Sequence, residues 1–199
     1  LVRSCFYGSF LFIMLSGLDY LATPENFRTF FVYRVFVALL LVAVGFIAKE
    51  ADSWGVWFHH AIGVFAVAAS AGTIELMILQ FGGHNSPYAA GQILLGVCVL
   101  GFIPGWMSFH AISAFLIYSI YFVPIILFEP FGRSAMFVSA NGFLIAVLVS
   151  SLILRFMSER GFETERSLRY DLQQSEQKYR DLFENAIDPI FVVDQDLRY

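Results

Sequence analysis

Six stretches of mostly apolar residues constrain this chain more than any other feature. They run Cys5 to Leu21, Thr29 to Ala48, Trp54 to Leu79, Tyr88 to Ile103, Trp106 to Phe128 and Met136 to Met157. A helix rises 1.5 Å per residue and the hydrocarbon core of a bilayer is about 30 Å thick, so about 20 such residues cross it. Between the stretches lie turn-forming sequences: Thr23-Pro24-Glu25-Asn26, Lys49-Glu50-Ala51-Asp52, Gly82 to Pro87, Pro104-Gly105 and Glu129-Pro130-Phe131-Gly132. The expectation is an all-α bundle of six transmembrane helices over residues 1–157. At 16 residues the fourth stretch is short of a normal span, and Gly91, Gly96 and Gly101 predict that it is buried among close neighbours.

Composition agrees. A hydrophobic content of 58% and a mean hydropathy of +0.70 exclude an ordinary soluble domain. Charge is segregated: residues 1–154 hold 5 of the 12 Lys/Arg and 6 of the 16 Asp/Glu, leaving 7 and 10 for the last 45 residues. The chain therefore divides near Arg155 into a membrane part and an aqueous tail. A net charge of −4 leaves no footprint for nucleic acid. Cys5 and Cys98 lie inside apolar runs, and no CxxC or Cys/His spacing marks a metal site. With the N-terminus cytoplasmic, inner segments hold Arg3, Lys49, Arg155 and Arg160 against Arg28 and Arg133 outside, so both ends are expected in the cytosol.

Polar groups in a bilayer are costly and need partners. Asp19 closes the first stretch, and Arg34, Glu75, Gln92 and Asn141 fall within about 6 to 11 Å of the outer boundary at 1.5 Å per residue. Tyr118 and Tyr121 add hydroxyl groups to this layer. Two compatible readings follow. Arg34 pairs with Asp19 or Glu75 and holds helices together, or the layer lines an outward-facing pocket for a small polar or amphipathic ligand. His59, His60 and His110 form an inner group, ordinarily interfacial polar residues and otherwise candidates for haem ligation or proton sensing; His84 lies in an outer loop. Trp54, Trp57 and Trp106 fit an interfacial belt, and Pro124 predicts a kink. No phosphate loop, nucleophile elbow, HExxH or EF-hand pattern occurs, so no catalytic residue is assigned.

The last apolar stretch continues into a polar helix in which only Gly161 could force a break. There Leu168, Leu172, Ser175, Tyr179 and Leu182 follow a 4-3-4-3 spacing along one seam, fitting a parallel coiled coil in a homodimer or a linker resting on a neighbouring domain. Residues 158–178 are read as a signalling helix. Asp188-Pro189 then breaks the helix, and Ile190-Phe191-Val192-Val193 predicts a buried strand before an Asp194-Gln195-Asp196 turn.

The run SEQKYRDLFENAIDPIFVVDQDLRY, Ser175 to Tyr199, closely resembles the start of a PAS domain. Tyr179, Arg180, Leu182, Phe183, Glu184 and Asn185 match its cap helix, and the strand and Asp194 turn follow. The resemblance implies that residues 179–199 begin a cytoplasmic α/β sensory domain whose remainder lies beyond Tyr199. With the chain opening on Leu1, both ends are expected to be truncations of a longer protein. More loosely, the membrane part is similar to six-helix N-terminal regions of bacterial sensor proteins, through Leu18-Asp19, Pro24, Arg34, Tyr88-Ala89-Ala90-Gly91 and Ser139-Ala140-Asn141. That similarity implies an input region in a bacterial inner membrane. It also implies a parent that is a sensor histidine kinase, using ATP and magnesium outside this stretch, or alternatively a diguanylate cyclase. A small-solute transporter is the competing class; the absence of an internal repeat or paired broken helices counts against it.

Overall fold

The computed structural model describes residues 1–51, 54–103, 105–128 and 135–184. About 90% of it is helical, and no strand occurs among the described residues. The helices are α1 (Val2–Met14), α2 (Ser16–Ala22), α3 (Phe27–Glu50), α4 (Val56–Gln80), α5 (Ala89–Phe102), α6 (Met107–Phe128) and α7 (Ala135–Glu184), with a 3-10 turn at Gly83–Asn85. Among the described residues, five segments are long and apolar enough to cross a bilayer: Val2–Leu21, Phe27–Glu50, Val56–Gln80, Met107–Leu127 and Ala135–Glu184. These lengths make the chain a multi-pass membrane protein. The sixth expected span, α5, has 14 residues and covers only about 21 Å.

The chain forms two compact units, Leu1–Arg155 and Phe156–Tyr199. In the first, α1 and α2 pack on α3, α3 on α4, and α4 in turn on both α5 and α6. Small residues line the buried face of α4, among them Gly63, Ala66, Ser70 and Ala71, which lets it take neighbours on several sides. The close approaches of α5 are specific. A methyl group on Gly91 would stand 3.1 Å from Ile74 Cγ2, and one on Gly96 would stand 2.9 Å from Leu148 Cδ2 of α7. Gly101 faces open space, so it takes no part in the packing expected of all three glycines.

The first stretch is two helices rather than one. The break falls at Leu15, and the residues that follow explain it. The Ser16 hydroxyl donates to Ile13 O at 2.6 Å, competing with the backbone ladder, and Gly17 has little intrinsic preference for helix. At the α4–α5 turn, Gly82 has φ +93°, a left-handed conformation that glycine adopts without strain.

In the second unit the described residues continue α7 as far as Glu184, and Gly161 lies within the helix. The Arg160 guanidinium sits over the Phe156 ring, 4.5 Å from its centroid, and Arg169 pairs with Glu165 one turn away. Leu168, Leu172, Tyr179 and Leu182 are each between 61% and 64% exposed. The predicted strand at residues 190–193 and the Asp194 turn lie outside the described residues.

Candidate functional site

The site is built where three chain segments meet at one end of the membrane unit. The short helix α2 carries Asp19 at its middle, and the backbone closes behind it as Thr23 N–H donates to Asp19 O at 2.8 Å. The turn reverses the chain into α3, whose buried stripe of Phe30, Arg34, Val37, Ala38 and Leu41 follows helical spacing. Arg34 is therefore the one charged residue in an otherwise apolar seam. Its guanidinium grips Asp19 in a fork: Nε–H donates to Oδ2, and an Nη2–H donates to Oδ1 at 2.9 Å. The two side chains are 8% and 1% exposed.

Tyr88, the N-cap of α5, completes the arrangement. Its hydroxyl donates to Asp19 Oδ1 at 3.0 Å, and Thr23 Oγ1 lies 2.9 Å from the same Tyr88 oxygen. Around it, Phe30 and Phe81 stand edge-on to the Tyr88 ring, at centroid distances of 5.2 Å and 5.6 Å. Nearby, Gln80 Nε2–H donates to the Tyr33 hydroxyl at 2.8 Å, joining α4 to α3. Asp19 thus receives two charge-assisted bonds and one phenolic bond, so α2, α3 and α5 are all tied to one carboxylate. Removing one partner of a buried pair typically costs about 3–5 kcal/mol, because the other charge is left uncompensated.

The remaining predicted polar residues occupy other positions. Gln92 is fully buried; its Nε2–H donates to Ala71 O at 2.9 Å, while its Oε1 accepts no bond among the described residues. Ala71 lies one turn before the buried Glu75 on α4, and the Glu75 carboxylate is within electrostatic reach of the buried Tyr121 hydroxyl on α6. Tyr118 stacks on Phe122 at 5.2 Å. Asn141 bonds back to Phe137 O at 3.0 Å, and its buried Oδ1 accepts no hydrogen bond among the described residues. Asp19 and Arg34 thus share one network with Tyr88, while Glu75, Gln92, Tyr118, Tyr121 and Asn141 make the separate contacts given above.

His59, His60 and His110 stand at the opposite end. His59 Nδ1 lies 3.0 Å from Gly55 O and its Nε2 lies 3.1 Å from Ala48 O, so both ring nitrogens face backbone carbonyls rather than a vacant ligand position. His60 packs beside Trp106 and Phe109, and His110 is wholly buried. A cavity of about 180 Å³ is lined by Leu1, Val56, His59, His60, Ile103 and Phe109. No group of three or more His, Cys, Asp or Glu among the described residues is placed to hold a metal.

Three participants escape a reading by charge alone. Tyr88 and Thr23 carry neutral hydroxyls in a turn, and only their place beside Asp19 gives them a role. Arg155 counts in the sequence as an orientation signal, yet its Nη2–H donates to Gly105 O at 3.0 Å, tying α7 to the α5–α6 turn. Comparison with protein-family models, curated proteins and solved structures returns no match to this chain.

Proposed function

We propose that this chain is the membrane-embedded input region of a bacterial signal-transduction protein. It has six membrane segments, counting the short α5, and both ends in the cytosol. In this reading the Asp19–Arg34–Tyr88 network is the input element, and α7 carries its state toward a PAS domain beginning near Tyr179. Two copies associate through the Leu168, Leu172, Tyr179 and Leu182 seam, and the output is a histidine kinase. The observation that carries the proposal is the helix α7, which passes from an apolar stretch into a charged one without a break at Gly161. A buried pair shared by three segments supplies a two-state element, since its made and broken forms differ by several kcal/mol.

The experiment grafts residues 1–184 ahead of the dimerisation and catalytic domains of a histidine kinase and measures autophosphorylation in membranes. Arg34→Ala is expected to shift autophosphorylation while the protein remains inserted at its normal level. Unchanged autophosphorylation in that variant, or uptake of a solute into vesicles by the chain alone, contradicts the proposal.

A further inference from the structure

Arg34 has more to offer than Asp19 uses. A guanidinium carries five N–H donors in a rigid fork. Nε and one Nη2 hydrogen are spent on the carboxylate, whereas Nη1 makes no hydrogen bond within the described residues. Nor is Nη1 among the sealed, unpartnered polar atoms of the described residues, in a side chain that keeps 8% of its surface exposed. The position is inside the membrane segment: Arg34 lies seven residues into α3, about 10 Å along the helix from Phe27. Open donors at that depth meet few water molecules and call for an acceptor.

The charge balance fixes the class of acceptor. Asp19 already neutralises Arg34, so a second anion would leave an uncompensated negative charge in a region of low dielectric. A cationic ligand would meet N–H groups pointing the wrong way. What fits is a neutral oxygen acceptor on an apolar body, because the half-exposed ring of Phe31 stands one turn before Arg34 on the same side of α3. We infer that the open Nη1 edge of Arg34 is a binding site for the carbonyl oxygen of an amphiphile, either an ester carbonyl of a bilayer lipid or that of a free small molecule. The inference uses the same side chain as the input element, but it concerns occupancy and not signalling. The binding measurement and the autophosphorylation measurement can therefore fail separately.

The test reconstitutes the chain in nanodiscs of equal parts diacyl and dialkyl-ether phosphatidylcholine, which differ in the ester carbonyls, and identifies retained lipid by native mass spectrometry. One net hydrogen bond corresponds to an enrichment of about two- to tenfold for the ester lipid in the wild type. Arg34→Met is expected to abolish that enrichment. Should that variant not assemble, the paired Asp19→Leu/Arg34→Met exchange removes the stranded charge as well. A second arm uses all-ether nanodiscs with 2-tridecanone against n-tridecane. Arg34-dependent enrichment of ester lipid assigns the site to the bilayer, and Arg34-dependent retention of the ketone alone assigns it to a free amphiphile. Equal retention in both arms, or a carbonyl preference that survives loss of Arg34, overturns the inference.

Discussion

Asp19 is the residue on which the membrane unit is most exposed to single substitutions, because three donors converge on its two oxygens. Arg34→Ala leaves that carboxylate buried and uncompensated, and should destabilise the protein by about 3–5 kcal/mol. The paired Asp19→Leu/Arg34→Met exchange removes both charges and should lie within about 2 kcal/mol of wild type, since well-packed hydrophobes often replace a buried pair at little cost. Tyr88→Phe keeps the edge-on ring contacts and deletes one bond to a charged group, a loss of about 1.5–3 kcal/mol. Thermal unfolding in detergent ranks the three. If Arg34→Ala and the paired exchange are equally stable, the pair is not the constraint described. At this scale the sequence was partly legible. Two opposite charges in apolar segments announce a pair, but whether Arg34 takes Asp19 or Glu75 depends on which helices are neighbours, and one chain does not encode that in a local pattern. The hydroxyls of Thr23 and Tyr88 carry no charge and cost little to place in a turn, so hydropathy and charge leave them unmarked, and Tyr88 is singled out only by the resemblance of Tyr88-Ala89-Ala90-Gly91.

Among the elements, α5 and α7 behave as their residues require. The shortness of α5 follows from the turns that bound it, and Gly91 and Gly96 explain how it is accommodated. The division of the first stretch at Leu15 was hidden because hydropathy averages over many residues, whereas the break depends on a hydroxyl and a glycine at Ser16-Gly17. For α7 the decisive position is Gly161, where an added methyl group meets nothing within 4 Å. Gly161→Ala should therefore stabilise the helix by about 1 kcal/mol, and Gly161→Pro should cost about 3 kcal/mol and interrupt it. Amide hydrogen exchange over residues 156–170 reads both changes. Faster exchange in Gly161→Ala than in wild type would contradict the assignment of this segment as a helix free of other constraints.

For the whole molecule, the proposed input role requires that a change made inside the membrane be readable beyond it. Leu172 is well suited as the reporter, being 61% exposed on the proposed seam between two copies. The two native cysteines, Cys5 and Cys98, are free thiols in apolar helices and can be exchanged for alanine to leave one reporter. The measurement is the rate of oxidative cross-linking of Leu172→Cys in native membranes, with Arg34 intact, with Arg34→Ala, and with Arg34→Ala combined with Gly161→Pro. The expected result is a cross-linked dimer whose rate of formation changes on loss of Arg34, and a loss of that change once the helix is interrupted. A cross-linking rate indifferent to Arg34, or a change that persists across the interrupted helix, would contradict it.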